Sequence, residues 1–403
     1  MSSFFENIVP EPPNPILGLS QECTADPFPD KINLTIGVYR TEEGQPYVLP
    51  CVREAEDILS EMNLNHEYLV QDGLTDFNKA TQKLLFGDDS PLIANEQIYT
   101  IQAVAGTGAV RLGIDFVKRV FPGATFSIPD ITWQNHPTIL DSVGIPFTTY
   151  RYLKDDGCTF NYDGVIEDLK KLAPNTFVLF HSCAHNPSGC DPTDEEWKGI
   201  LQVMQEKQLF PFFDNAYQGF VSGNPDIDAY SIRLFASAGL ELIAACSFSK
   251  NFGLYGERVG ALHVVTSSKS SAQKAASVIR AAARCLYSTC PSFGARIVSY
   301  ILSDPDRTAV WKAECAGMAN RLNEIRRLLY EKLKEKNVKG TWEHVIIQRG
   351  MFSFTGISKP NVVKLKEEHH VYMLNDGRIS LAGLNHGNID RFVDSLVSVL
   401  GTN

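Results

Sequence analysis

The chain has 403 residues and a formal net charge of −10 at pH 7, with 44% hydrophobic and 21% charged residues. This composition is typical of a soluble globular protein, and the length predicts one large domain or two with a substantial core. The acidic balance argues against nucleic acid or an anionic membrane as a partner, although a few arginines could still bind a small anion.

Nine cysteines are scattered along the chain without a C-x-x-C pair or the His/Cys spacing of a zinc site. We therefore expect reduced thiols and no bound metal. The N-terminal stretch lacks the basic and apolar regions of a signal peptide, and no apolar run reaches membrane-spanning length. These features predict a cytoplasmic protein.

The first forty or so residues are rich in proline and turn-forming residues, as in PEPPNP and DPFPD. Proline at this density predicts an extended arm and not a helix. The segment INLTIGVYR then predicts a short strand that enters a turn. An arm of this kind often lies across another subunit, with disorder as the alternative.

From about residue 97, apolar β-rich runs alternate with helical patterns. The runs are IYTIQAVA, ATFSIPD, GIPFTTYRYL, TFVLFHSCA, LFPFFDNAY, LIAACSFS and VGALHVVT. Strands that are nearly all apolar and alternate with helices predict an α/β domain with a mostly parallel sheet covered on both faces.

After about residue 294 the pattern becomes long and helical, with a small β element in HVIIQRGMFSFTGI and a terminal helix in NIDRFVDSLVSVL. We expect a large domain over residues 45–305. The N-terminal arm, residues 1–44, and the C-terminal segment, residues 306–403, would together form a smaller α/β domain.

Chemistry is expected where these strands end, because ligands of open α/β sheets bind at the carboxyl ends of the strands. Gly106 and Thr107 fall between a strand and a helix, where free backbone N–H groups suit a phosphate, although a simple tight turn is the alternative. Asn186 precedes a Pro-Ser-Gly turn and either faces a cleft or caps its own backbone.

Two further strand ends carry charge. Asp214 follows five apolar residues, and a buried carboxylate there requires a cation, either an arginine or a protonated ring nitrogen. Tyr217 lies three residues later. Lys250 follows LIAAC and SFS; a desolvated lysine loses basicity and becomes nucleophilic, whereas a structural ion pair is the alternative. Ser247, Ser249 and Arg258 nearby suit a phosphate.

Together these ends offer a phosphate cradle, a buried carboxylate, a phenol, an amide and an isolated amine. Pyridoxal 5′-phosphate requires this set, because its aldehyde forms a Schiff base with a lysine, its pyridinium nitrogen requires an acid, and its phosphate suits a helix N-terminus. The sequence therefore predicts this cofactor.

Long motifs then point to a family. SFSKNFGLYGERVG resembles the lysine signature of the class I pyridoxal-phosphate-dependent aminotransferases. HSCAHNPSGCDPT, DNAYQGF, RGMFSFTG and GRISLAGL resemble the eukaryotic aspartate aminotransferases within that class, in consistent order from about residue 5 to 400. The resemblance implies fold type I, a homodimer with shared active sites, and reversible transfer of an amino group from L-aspartate to 2-oxoglutarate.

The resemblance also implies a role for each matching residue. Lys250 would form the Schiff base and later carry a proton, and Asp214, supported by His136, would hold the ring nitrogen. The remaining cofactor contacts would be Trp133 stacked on the ring, Tyr217 and Asn186 at its oxygen, and Gly106, Thr107, Ser247, Ser249, Arg258 and the neighbouring subunit's copy of Tyr68 at the phosphate. Arg378 and Gly37 would bind the substrate α-carboxylate, and the neighbouring subunit's copy of Arg284 would bind the side-chain carboxylate.

One position departs from the family pattern: Ala105 stands where a serine is usual, so one phosphate hydrogen bond is missing. Such a bond contributes about 1.5–3 kcal/mol, so we expect weaker cofactor binding at a surviving site. The segment around Arg284 is also less typical. An aromatic or kynurenine-type aminotransferase therefore stays as an alternative, and a catalytically silent binding protein on the same fold is a second one.

Overall fold

The computed structural model describes residues 3–10 and 15–403. Its helices are α1 Pro15–Ala25, α2 Pro50–Glu61, α3 Thr75–Phe86, α4 Pro91–Ala94, α5 Ala105–Val120, α6 Asn135–Val143, α7 Tyr162–Lys171, α8 Asp194–Glu206, α9 Pro225–Asp228, α10 Tyr230–Ser237, α11 Lys269–Leu286, α12 Phe293–Leu302, α13 Pro305–Glu335, α14 His344–Ile347, α15 Lys359–His369 and α16 Ile389–Leu400.

The strands are β1 Ile32–Asn33, β2 Ile98–Val104, β3 Phe126–Pro129, β4 Phe147–Tyr150, β5 Phe177–His181, β6 Phe210–Asn215, β7 Leu242–Ser247, β8 Val259–Val265, β9 Phe352–Phe354, β10 Val371–Tyr372 and β11 Arg378–Ser380. Seven of them form the main sheet, in the order β2-β8-β7-β6-β5-β3-β4. β8 runs antiparallel to both of its neighbours, and the other pairs are parallel. The predicted mostly parallel α/β sheet is confirmed.

The central strands of this sheet are buried on both faces, which explains why their sequences are almost continuously apolar. One buried cluster joins the sheet to α5 and α11, and a larger one joins the opposite face to the helices there and to the C-terminal region. Because β8 alone runs the opposite way, β2, β3, β5, β6 and β7 all end at one edge of the sheet, where β8 begins.

The C-terminal region and the start of the chain are joined by backbone pairing. β1 pairs in parallel with β10, and β9 pairs antiparallel with β11. The 31-residue helix α13 runs from the large sheet region to this smaller unit. Near its start, the indole N–H of Trp311 donates to the carbonyl oxygen of Asn251 at 2.8 Å. The long helix therefore contacts the loop that follows β7.

Two local expectations are wrong. The N-terminal segment is not extended throughout, because α1 spans Pro15–Ala25. Proline is tolerated at the first position of a helix, and no proline follows it until the DPFPD stretch, which is not helical. Residues 11–14 of PEPPNP lie outside the described residues. HVII forms the short helix α14, and the β element begins only at Phe352.

Within the described ranges, no helix is both long and apolar enough to cross a membrane. The same part of the chain holds no group of three or more His, Cys, Asp or Glu side chains arranged to bind a metal ion.

Candidate active site

A cavity of about 200 Å³ opens at the edge of the sheet where the parallel strands end. Eleven of the residues predicted from the sequence line it: Gly37, Gly106, Thr107, Trp133, Asn186, Asp214, Tyr217, Ser247, Ser249, Lys250 and Arg258. They come from separate parts of the chain, and the shared strand direction brings them together. This convergence is the main evidence that the strand ends form one site.

Two of the predicted residues lie directly behind the lining. The Nε2 atom of His136 is 2.9 Å from a carboxylate oxygen of Asp214, and His136 itself is fully buried. Arg378 donates from Nη1 to the side-chain oxygen of Asn186 at 3.2 Å. Each of these two residues therefore contacts a side chain that lines the cavity.

The remaining two predicted residues are not in the cavity of this single chain. The side chain of Tyr68 is 84% exposed, and Arg284 near the end of α11 is exposed with its guanidinium bonded to Ser288. These two positions were expected to serve the site of a neighbouring subunit. Their exposure leaves both side chains available for that contact.

The carboxylate of Asp214 is held by a chain of polar groups formed by His136, the half-buried Thr132 and His181. Thr132 lies 2.8 Å from Nδ1 of His136 and 3.0 Å from Nε2 of His181. If Asp214 is ionised, Nε2–H of His136 donates to it, Nδ1 accepts from the Thr132 hydroxyl, and Nε2–H of His181 donates to Thr132. Each of these groups then has a matching partner.

The charges agree with this arrangement. Burial raises the pKa of Asp214, but the hydrogen bond from His136, together with the nearby Lys250 amine, outweighs it and holds the pKa below its ordinary value. Burial lowers the pKa of His181 to about 3, so this histidine is neutral. Asp214 therefore lines the cavity as a carboxylate whose ionised form is favoured, which suits a cationic group of a ligand.

Lys250 lies near this carboxylate. Burial lowers the pKa of its amine to about 8; Asp214 opposes the change and Arg258 adds to it. The amine is 5.0 Å from the centre of the Tyr217 ring, and burial raises the pKa of that phenol above its ordinary value. With this pKa about a tenth of the lysine is uncharged at pH 7, far more than for an ordinary lysine, and the uncharged amine is the nucleophilic form.

The opposite end of the cavity suits a phosphate. Gly106 and Thr107 lie in the first turn of the 16-residue helix α5, where backbone N–H groups are free. A Cβ atom on Gly106 would come within 2.8 Å of the Ser247 Cβ, so only glycine permits this close approach. Arg258 adds a guanidinium, which donates to the Ser249 hydroxyl at 3.3 Å. A dianion would meet donors on several sides.

The guanidinium of Arg378 suits a carboxylate. Its side chain is buried, Nη2 donates to the carbonyl oxygen of Thr35 at 2.8 Å, and Nε has no partner among the described residues. Burial lowers the pKa of this guanidinium, although arginine stays charged at neutral pH. A buried cation without a carboxylate partner is costly, so this residue suits an anionic substrate group.

Sequence reasoning missed several lining residues, among them Ile36, Val38, His181 and Tyr255. His181 and Tyr255 lie inside motifs that were singled out, and His181 is the last residue of β5, so the strand-end rule could have identified it. Ile36 and Val38 are apolar loop residues far from the others along the chain. Their types and spacing carry no signal of a site.

Comparison with known proteins agrees with this geometry. The profile of the family "Aminotransferase class I and II" matches residues 29–396. A mitochondrial aspartate aminotransferase P2 of Lupinus angustifolius is 46% identical over 98% of this chain and 87% of its own length. A cytoplasmic aspartate aminotransferase of Oryza sativa subsp. japonica is 44% identical over 98% and 97%.

Solved structures match this chain over almost its whole length. An aromatic-amino-acid aminotransferase of Burkholderia pseudomallei, covalently bound to pyridoxal phosphate, superimposes with a TM-score of 0.96 at 39% identity and covers 99% of this chain and 100% of that one. The cytoplasmic aspartate aminotransferase of Saccharomyces cerevisiae gives 0.95 at 34% identity, with 98% of each chain covered. The chain belongs to the class I and II aminotransferase family.

Proposed function

We propose that this protein is a pyridoxal-phosphate-dependent transaminase that converts L-aspartate and 2-oxoglutarate to oxaloacetate and L-glutamate, and back. The observation that carries the proposal is the pairing of Lys250, with a pKa of about 8, and the buried carboxylate of Asp214 in one cavity beside a phosphate cradle. The aspartate specificity is supported by relatives named for that substrate at 44–46% identity.

The residues present fit the cofactor. Asp214 would pair with the ring nitrogen, and Trp133 would stack on the face of the ring. Tyr217 and Asn186 would form hydrogen bonds with the ring oxygen. Its phosphate would be held by Gly106, Thr107, Ser247, Ser249 and Arg258, with Tyr68 contributed by a second subunit. Ala105 adds no hydroxyl to this cradle, and it adopts a left-handed backbone conformation with φ of 58°. We expect weaker phosphate binding than a serine there would provide.

When bound, the cofactor supplies an aldehyde that captures amines and a ring that accepts electrons from the substrate Cα. The chain supplies the rest. Asp214 keeps a fixed negative charge at the ring nitrogen. Lys250 would take a proton from the substrate Cα and deliver it to the aldehyde carbon of the cofactor, and a pKa near 8 suits both transfers at neutral pH.

Two arginines would select the substrate. Arg378, with Gly37 beside it, binds the α-carboxylate, where its buried guanidinium lacks an anionic partner. Arg284 of a second subunit binds the side-chain carboxylate, which favours dicarboxylates through a charge-assisted pair. The exposure of Arg284 and Tyr68 supports a homodimer with shared sites.

We propose the same domain limits as above, with residues 45–305 as the cofactor-binding domain and residues 1–44 with 306–403 as the smaller one. The pairing of β1 with β10 supports joining the two chain ends. We also propose a cytoplasmic location and small-molecule substrates, namely amino acids and 2-oxo acids, without a nucleic-acid or membrane partner.

A second candidate is an aromatic aminotransferase on the same scaffold. Its support is that structures from Burkholderia pseudomallei and Burkholderia cenocepacia with aromatic specificity superimpose with TM-scores of 0.96 and 0.95. Comparing kcat/KM for aspartate and phenylalanine decides between the two.

The proposal is tested by a coupled assay of oxaloacetate formation in the wild type, Lys250→Ala and Arg284→Leu. We expect Lys250→Ala to be inactive, and borohydride reduction of the wild type to label the peptide that contains Lys250. Arg284→Leu should lower aspartate turnover far more than phenylalanine turnover. Equal losses for the two substrates would remove Arg284 from the proposed role.

A further inference from the structure

One side of the cavity is formed by a short loop. Ile36, Gly37 and Val38, called the wall below, line the cavity and follow β1 without belonging to a helix or strand. Their own backbone contributes one bond within the wall, from the N–H of Val38 to the carbonyl of Ile36 at 3.0 Å. The position of the wall therefore depends on what holds its ends.

Each end of the wall is held by a side chain from a distant part of the chain. Before the wall, the carbonyl of Thr35 accepts from Arg378 at 2.8 Å. After it, the backbone N–H of Tyr39 donates to the hydroxyl of Tyr255 at 2.9 Å. Between them, a Cβ on Gly37 would lie 2.5 Å from the Phe352 ring, so the wall already packs closely there.

Tyr255 also reaches the phosphate cradle. Its carbonyl oxygen accepts from Nη1 of Arg258 at 3.0 Å, and the same nitrogen donates to Ser249. Burial raises the pKa of the Tyr255 phenol, so the hydroxyl stays neutral and keeps a lone pair for the Tyr39 N–H. One residue thus connects the cradle with the wall.

We propose that Tyr255 is a positioning residue that sets the distance between the wall and the phosphate cradle, and so the width of the substrate end of the cavity. The inference rests on the proposed function. A buried backbone N–H that loses its acceptor must move toward another partner or water. Without the Tyr255 hydroxyl, the wall loses one of its two side-chain anchors and keeps the Arg378 bond, the backbone bond from Tyr47 to the Tyr39 carbonyl, and packing. Substrate binding then weakens while the cofactor contacts remain.

The test is Tyr255→Phe in the cofactor-loaded enzyme, which removes one oxygen and keeps the ring. We expect KM for both aspartate and 2-oxoglutarate to rise about tenfold, with kcat within about twofold and the cofactor dissociation constant unchanged. Tyr47→Phe is the matched control, because its ring packs on Tyr39 without accepting the Tyr39 N–H. We expect it to behave as the wild type, including in melting temperature.

A second readout does not depend on the substrate. Hydrogen–deuterium exchange should show the Tyr39 amide exchanging about tenfold faster in Tyr255→Phe than in the wild type or Tyr47→Phe. Unchanged exchange, or an unchanged KM, overturns the positioning role. A weakened cofactor affinity with unchanged KM also overturns it, because Tyr255 would then act through Arg258. If the wild type does not transaminate aspartate but the Tyr39 amide still exchanges faster in Tyr255→Phe, the proposed function is refuted. The contact between Tyr255 and the wall is then still established.

Discussion

The lowered pKa of Lys250 has a measurable consequence for stability. In the folded chain without cofactor this pKa is about 8, against an ordinary value of 10.5. Between these two values the unfolded chain binds more protons than the folded chain does, so the free energy of unfolding rises with pH across this window. Below about pH 8 the lysine is protonated in both states, and the cost of burying its charge is fully present.

The size of the effect follows from the two pKa values. Linkage between protonation and folding raises the free energy of unfolding by about 2 kcal/mol between about pH 7.5 and about pH 9.5. This is part of the total that the separation of the two Lys250 pKa values gives at about 1.36 kcal/mol per pKa unit. Lys250 faces the cavity and is only partly shielded from water, so solvent screening reduces this to about 1–2 kcal/mol.

Urea unfolding of the cofactor-free protein at a series of pH values measures this rise. Other groups titrate in the same window, so the comparison is with Lys250→Met, which keeps an unbranched side chain without the terminal amine and cannot be protonated. We expect the wild type to gain about 1–2 kcal/mol relative to Lys250→Met as the pH rises. Parallel curves for the two proteins would falsify the reasoning, because the amine would then have the same pKa in both states.

Three further substitutions test other parts of the molecule. Asp214→Asn keeps the shape of the side chain and removes its charge, and we expect kcat to fall at least about a hundredfold with unchanged circular dichroism; activity within tenfold of the wild type would contradict the role of the carboxylate. Gly106→Val places a branched side chain where even a Cβ atom would lie 2.8 Å from the Ser247 Cβ. Fluorescence titration should therefore show cofactor binding that is weaker by about tenfold or more, whereas an unchanged affinity would mean that the phosphate binds elsewhere. Arg326→Met removes a buried guanidinium that donates to three backbone carbonyls, and it should lower the free energy of unfolding, measured in urea, by about 3–5 kcal/mol. Arg327→Met, at an exposed position, is the control, and an equal loss in the two variants would show that the carbonyls find other partners.

Much of the fold could be predicted because local patterns and burial agree. Seven β-rich runs predict the seven strands of the main sheet, and the central strands, which are covered on both faces, are almost continuously apolar. The edge strand β4 is partly exposed and carries two threonines. The rule that ligands bind at the strand ends then identifies Asp214 and Lys250 as neighbours without any knowledge of distance. Helix α1 escaped prediction because the prolines on either side of it outweigh a short sequence that is itself compatible with a helix.

The sequence by itself determined which residue types stand at the strand ends, because the switch from apolar to polar residues is a local property. Only the tertiary structure decided which distant groups complete the site. Thr35 meets Arg378 and Tyr39 meets Tyr255 through single hydrogen bonds across long stretches of chain. Such contacts depend on strand order and on close packing at Gly37. Strand order and packing leave no periodic pattern in the sequence around the residues that form these hydrogen bonds, so the sequence alone does not predict them.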